Sequence, residues 1–371
     1  MADTFYYSRD TKVHLTTTSG AIYKIPVLDG FSFSQATNTS EVTLNEMATS
    51  AGVSRRARQM FTDSYAPAEW SFSTYIRPFK SGGAGSGGEH AAAEHHAVEE
   101  ALWNALAAGA APGQSGDALT PGGSNMTLNF NNSNKVALDT FTLEFEMGSG
   151  KSNPTIYKIT DCVVNEVSID FDIDGIATAN WSGFGSIITE ESSMSTASIY
   201  EGTAAADTNN FIRNRLTDLT VTATAAGSIT TAYTLTLTGG NITISNNMTY
   251  LTPETLGSIN QPLGHVTGTR SVSGNFTCYL NTPSSGASSA DLFEDIIEST
   301  DVITNDFDLT FVIGGTGNSP TLTMNLNTCH LEVPTHSIDD IVSLETTFHA
   351  LPTSVDATDE IDMIFLGPTV T

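Results

Sequence analysis

From residue 167 to residue 174 the chain alternates without a fault. Val167, Ile169, Phe171 and Ile173 are apolar, and Ser168, Asp170, Asp172 and Asp174 between them are polar. Successive side chains of an extended strand face opposite sides, so this pattern predicts a strand with one row toward a core and one toward water. The watery row is acidic and has no basic residue near it in sequence. Like charges on one strand face oppose folding, so the row asks for a reason beyond stability.

The same alternation recurs along the chain. Val13 and Leu15 precede the turn Thr18-Ser19-Gly20, and Ile22, Ile25, Val27 and Leu28 follow it. Asp29-Gly30 is a second turn signal, and Phe31 to Ser34 alternates again. Residues 35–69 are polar and predict a long loop. Trp70 to Ile76 predicts a strand that Pro78 stops, and strands follow over 126–130, 141–147, 156–159 and 162–181. Between them lies a Gly/Ser linker at 81–88, then an Ala-, Glu- and Leu-rich run at 89–108. Val98, Leu102, Ala105 and Leu106 recur there at helical spacing, with Gly109 as C-cap.

After a joint of low hydrophobicity at 189–210 the plan restarts. Leu235, Leu237, Ile242 and Ile244 predict strands around Gly239-Gly240. A polar stretch at 245–269 parallels residues 35–69, and Phe276 to Leu280 parallels Phe72 to Ile76. A short helix follows, with Ser288 as N-cap, Asp291 in its first turn and Leu292, Phe293, Ile296 and Ile297 as its apolar face. Strands close the chain at 307–313, 322–326, 329–333 and 338–348. This order predicts a mainly β protein of two tandem antiparallel β-sandwich or barrel domains, each with one flanking α-helix. The domains are placed at residues 1–195 and 211–371, with a linker at 196–210.

Composition narrows the function. The chain has 371 residues, of which 41 are acidic and 14 basic, for a net charge of −27. Such a surface repels nucleic acid and anionic lipid. No run approaches ~20 consecutive apolar residues, so no membrane span is expected, and Met1 to Tyr7 does not read as a secretory signal. Cys162, Cys278 and Cys329 are too few for a disulfide framework and suit core thiols in a reducing compartment.

Candidate chemistry is sparse. Gly148-Ser149-Gly150-Lys151-Ser152 has the end of a phosphate-binding loop, but Phe145 stands where glycine is needed and Pro154 interrupts the required helix; a turn is the preferred reading. His90, Glu94, His95 and His96 cluster on the predicted helix, and His90 and Glu94, a turn apart, are a conceivable metal pair. No zincin spacing is present, so a solvated helix face is preferred. Asp170, Asp172 and Asp174 lack the EF-hand offsets and leave only weak divalent binding open. No catalytic, cofactor-binding or metal residues are assigned, no cofactor is expected, and no enzyme activity is predicted. Arg55, Arg56 and Arg58 are the only dense basic cluster, read as a loop that docks on an acidic neighbour.

The run from Ser54-Arg55-Arg56-Ala57-Arg58 to Asp63-Ser64, continuing into Trp70 to Pro78, resembles the tail tube (major tail) proteins of tailed bacteriophages. So does the opening strand with its continuation Gly175 to Gly185. The resemblance implies a β-sandwich per domain whose inner sheet joins its neighbours around a lumen. It implies a virion tail subunit assembled in the host cytoplasm, partnered by itself, by tape-measure and by tail-terminator or baseplate proteins, and passing DNA without specific binding. Single-domain members form hexameric rings, so a tandem chain implies a homotrimer of pseudo-sixfold symmetry. Asp170, Asp172 and Asp174 then become lumen-lining candidates, with Asp339 and Glu345 in the second domain. Arg55, Arg56 and Arg58 become inter-subunit contacts. From another class, a secreted or surface β-domain binding module, adhesin or carbohydrate binder, is the alternative; a hydrolase with an acidic cleft ranks third.

Overall fold

The structure, a computed structural model, describes residues 5–42, 59–130, 137–151, 153–194, 198–200, 202–223, 232–251, 262–282, 287–298 and 307–370. The chain is mainly β, as the alternation predicts. The organising strand is longer than its alternating segment and runs Thr155–Asp172. Its first part pairs with Phe141–Met147 and Ile188–Glu191, its second with Thr178–Gly185 and Thr236–Ser245. Register slips between Ile159 and Cys162 and again between Val164 and Glu166, and Asp161 has a φ of 51°. Extra residues of this kind bend and twist a strand. One strand therefore leaves one sheet and enters another.

The sheet it enters is antiparallel throughout. Its order is Ser32–Glu41, Met60–Tyr75, Thr178–Gly185, residues 163–172, Thr236–Ser245, Ser271–Tyr279 and Val342–Ala350, then residues 329–338. Behind its first half stand Ile22–Ile25, Lys12–Thr17 and Phe141–Met147. Behind its second half stand Asp218–Ala223, Phe307–Ile313, Thr321–Leu331 and the last strand, Asp362–Leu366, which also takes Met126–Asn129 from the first half. Aromatic pairs bridge the layers, among them Trp70 with Phe141 at 5.8 Å and Phe171 with Phe311 at 5.5 Å. The described ladders branch but never return to their start, so no barrel closes and the sandwich form of the expectation holds.

The two halves repeat one local device. Phe141 lies opposite Cys162 and Leu143 opposite Ile159; in the second half Phe307 lies opposite Cys329 and Leu309 opposite Leu326. In both, the thiol points back to the carbonyl three residues earlier, at 3.4 Å from Ile159 and 3.7 Å from Leu326. All three cysteines are free and buried.

Several expectations are corrected by tertiary contacts. The helix predicted over 89–108 forms only at Glu100–Ala107. Residues before it are drawn into extended pairing, His95–Ala97 against Pro78–Lys80, and Ala93 adopts a φ of 67°. This outweighs Ala-rich propensity. The helix is buried on every side, with Trp103 edge-on to Trp181 at 4.6 Å, and ends at Ala108 rather than at Gly109. The second helix, Ser289–Glu298, has its predicted cap: Asp291 N donates to Ser288 Oγ at 3.2 Å and Ser288 N donates back to the Asp291 carboxylate at 2.7 Å. Its Leu292 is buried, but Ile297 is half exposed. Residues 35–69 are no simple loop, because Ser32–Glu41 and Met60–Tyr75 form a long hairpin. Part of 245–269 is likewise a hairpin, Thr249–Leu251 with Gly264–Val266.

Gly239-Gly240 is not a turn. The strand Thr236–Ser245 runs through it, with a bulge beside Gly239, and pairs with Phe171 and Asp172. A Cβ at Gly240 would stand 2.4 Å from the Asn275 carbonyl oxygen and 2.9 Å from the Phe171 ring. The missing side chain lets Phe171 lie over the junction of the halves. Gly240→Ala is therefore expected to cost about 1–3 kcal/mol in urea unfolding. Gly150→Ala, which meets no atom within 4 Å, is expected to stay within about 0.5 kcal/mol. Equal midpoints for the two variants would contradict this account of the junction.

Candidate functional site

The long sheet has one face in the core and one in water. On its core face Val167, Ile169, Phe171, Trp181, Phe276, Leu344 and Phe348 are buried. On its outer face stand Ser71, Ser73, Ser168, Asn180, Ser182, Asn241, Thr243, Ser273, Asn275, Thr277, Ser343 and Thr347, all partly exposed. None of its strands contains a lysine or an arginine. Carboxylates are present: Asp170, Asp172 and Glu345 are exposed there, as the alternation predicts, and Glu69 and Glu166 share the face. Those last two escaped sequence reading because their segments show no acidic alternation.

The register explains how the sheet tolerates these charges. Asp170 lies opposite Thr178 and Asn241, Asp172 opposite Gly239, Glu345 opposite Thr277 and Thr335, and Glu166 opposite Ser182 and Ser245. No carboxylate among them faces another directly, so the cross-strand penalty is avoided. Asparagines hold two of them. Asn180 Nδ2 donates to Asp170 at 2.9 Å, and Asn275 Nδ2 donates to Glu345 at 3.3 Å.

Two expected members stand apart. The strand ends at Asp172, so Ile173 is 49% exposed rather than buried. Asp174 lies beyond the end and forms an exposed ion pair with Arg215 Nη1 at 3.1 Å. Asp339 is exposed in the bend after Thr335–Ile338. Arg55, Arg56 and Arg58 lie outside the described residues, between the arms of the hairpin made by Ser32–Glu41 and Met60–Tyr75. Among the described residues the sheet has an open ladder position at each end. Ser32–Glu41 has a ladder partner among them on one side, Met60–Tyr75, and Thr335–Ile338 has Val342–Ala350, with Ile338 80% and Ile341 60% exposed.

The histidine cluster is not a solvated helix face. His95, His96, Glu99 and Glu100 are buried. His90 from the loop and His96 from the short strand meet Glu100 at the first turn of the helix. His90 Nε2 donates to Glu100 Oε1 at 2.9 Å and His96 Nδ1 to Oε2 at 2.8 Å. Burial alone pushes the Glu100 carboxyl up, but the two imidazoles outweigh it and hold it well below the usual carboxylate range. Its neighbour Glu99 is pushed up to about 7 by burial, against hydrogen bonds from Trp103 Nε1 and the Arg77 amide. Glu94 shares no close contact with His90; it approaches His96 at 3.8 Å instead. Elsewhere, Gly148 to Lys151 is a turn, with the Lys151 ammonium over the Tyr6 and Tyr7 rings. Arg77 is buried, its guanidinium donating to Asn210 Oδ1 and to the carbonyls of Ala204, Ala205 and Asp207.

Comparison with known proteins agrees with this picture of a structural surface. The phage tail tube protein family matches residues 62–350 of the chain. Tail tube protein pb6 of Escherichia phage T5 is 30% identical over 369 residues, which is 95% of this chain and 74% of that protein. No helix among the described residues is long and apolar enough to cross a membrane.

Proposed function

The chain belongs to the phage tail tube protein family, and from that premise we propose that three copies close a ring, that rings stack into the tube, and that the long sheet faces a lumen through which viral DNA leaves. As a member of the family the protein is a structural subunit of the tail. The observation that carries the finer reading is one sheet face with carboxylates and no lysine or arginine in its strands.

The chain supplies the template for its own ring. Ladder order repeats across the halves: 163–172 follows Cys162 as 329–338 follows Cys329, and Thr236–Ser245 takes the ladder position of Ser32–Glu41. We read the halves as tandem units of 1–195 and 211–371 joined at 196–210. The internal pairing of 163–172 with Thr236–Ser245 is then the pattern on which we build the contact of 329–338 of one copy with Ser32–Glu41 of the next. Such a heterologous contact closes at pseudo-sixfold symmetry with three chains, and it removes an edge that a monomer leaves open. Eight ladder positions per chain give about 24 strands, and at ~4.8 Å spacing a backbone diameter of about 37 Å before tilt widens it. Side chains take roughly 10 Å of that, which leaves room for a duplex. Facing carboxylates act within about 8 Å at physiological salt, so the wall is non-stick and drives nothing.

In this reading Asp170, Asp172 and Glu345 line the bore, with Asp174 and Asp339 at its rim. Assembly occurs in the host cytoplasm, and the tape-measure and tail-terminator or baseplate proteins are the partners. Electron cryomicroscopy of assembled protein is expected to show three chains per ring with Asp170 and Asp172 facing inward; an outward row sinks the lumen assignment. Asp170→Lys with Asp172→Lys is expected to leave rings intact and slow DNA release, read as ejection kinetics of virions carrying the variant. Unchanged kinetics would remove the electrostatic role. Arg55→Glu with Arg56→Glu is expected to abolish stacking while circular dichroism stays native. Tubes at wild-type yield from that variant reject the docking role of Arg55 and Arg56.

A further inference from the structure

We propose that His90, His96 and Glu100 form a binding site for one transition-metal dication of the zinc type. The three residues come from a loop, a short strand and a helix, and they converge in a protein whose remaining carboxylates are mostly at the surface. One ligand atom from each lies within 4.8 Å of the other two. Zinc with ligands at about 2.0–2.1 Å holds a tetrahedral set roughly 3.4 Å apart, so the spacing of this set is close, and rotation of one imidazole aims its lone pair at the shared point. Two imidazoles and one carboxylate are a donor set that suits zinc.

The surroundings are those of a built site. The His90 and His96 rings stack at 3.5 Å between centroids and 12° between planes, and each turns one nitrogen to the same carboxylate; one ring rotates out of this stack for both in-plane lone pairs to reach a single ion. Tyr200 packs against His90 at 5.2 Å and against Tyr23 at 5.3 Å. A cleft of about 610 Å³ reaches the cluster and is lined also by Tyr23, Asp117 and Tyr200. It gives an ion a route in and leaves room for water at a fourth position.

The second, independent observation is His96 itself. It is 2% exposed, and its Nε2 is buried with no hydrogen-bond partner. With Nδ1–H donated to Glu100, a neutral ring leaves Nε2 as a bare buried acceptor, which is costly. Metal at Nδ1 moves the ring proton to Nε2, toward the Glu94 carboxylate at 3.8 Å. That outer carboxylate is the usual companion of a metal-bound imidazole. The protons that His90 Nε2 and His96 Nδ1 now donate are given up when the ion binds: each neutral ring keeps its proton on the other nitrogen, and any second proton goes to solvent. Glu100 stays ionised throughout. The ion then ties the loop around His90 to the start of the buried helix, beside Tyr23 and Tyr200.

The rival is a plain buried His–Glu–His hydrogen-bonded cluster. The test uses the full chain, purified, stripped with a chelator and titrated with zinc chloride under calorimetry and thermal unfolding. Wild type is expected to take one zinc per chain with submicromolar affinity and to melt several degrees higher with it. His96→Ala and Glu100→Gln are expected to fold by circular dichroism and to lose that shift, while Asp170→Asn keeps it. Should both site variants fail to fold, cobalt(II) added to wild type decides: a ligand-field spectrum of a low-symmetry nitrogen and oxygen site, abolished by zinc, supports the proposal. No zinc uptake by folded wild type, uptake that His96→Ala and Glu100→Gln leave unchanged, or an aqueous-type cobalt spectrum overturns it.

Discussion

The strand Thr155–Asp172 is the constraint on which the fold rests. Among the described strands it alone belongs to both layers of the first half, and it also pairs with the second half. Between its two register breaks it turns Cys162 and Val164 into the main core, with Val163 on the other side against Leu138, Met248 and Tyr250, and beyond them it adds Val167, Ile169 and Phe171 to the core; all six are buried. At about 1.5–3 kcal/mol for each large side chain removed from water, that is a large share of the net stability of a domain. The breaks are as necessary as the burial. A straight strand of this length would stay in one sheet, and the outer layer would have no edge against which to pair Ile188–Glu191.

A second consequence concerns the junction of the halves. Seven consecutive residues of this strand, Glu166 to Asp172, pair with Thr236–Ser245, and one apolar cluster runs through both halves. Asp362–Leu366, from the end of the second half, pairs with Met126–Asn129 from the first. Each layer thus has its own bridge across the molecule. Repetition in ladder order does not mean independent bodies here, because the contacts that link the halves are the same kind that build each one.

Legibility in the sequence followed the range of the forces. Val167 to Asp172 was readable because a strand with one wet face imposes period two on its own residues, and Ser288 with Asp291 because a cap is local. Ile173 was misread because the end of pairing at Asp172, not any property of isoleucine, decides its exposure. The stretch 89–99 has helical composition, yet His95–Ala97 within it is held extended by Pro78–Lys80 and by the Gly122 carbonyl, partners that propensity does not see. The meeting of His90, His96 and Glu100 was hidden for the same reason: their spacing fits no helix or strand period, since three different elements deliver them. Gly239-Gly240 looks like a turn in sequence and is a passage for the Phe171 ring in the fold.

The acidic face looked destabilising when Asp170 and Asp172 were seen along one strand. Across strands the charges are diluted: serine, threonine, asparagine and glycine occupy the positions opposite them, and Asn180 and Asn275 donate to the carboxylates. The cost of like charge is therefore spread through solvent-screened distances rather than concentrated in facing pairs. Depletion of lysine and arginine is then the more informative feature. A sheet that only needed solubility would gain from interspersed cations, which add cross-strand attraction. Their exclusion from every strand of one sheet, in a chain that carries them on the strands of its other layer at Lys12, Lys24 and Lys158, sets this face apart from the rest of the molecule.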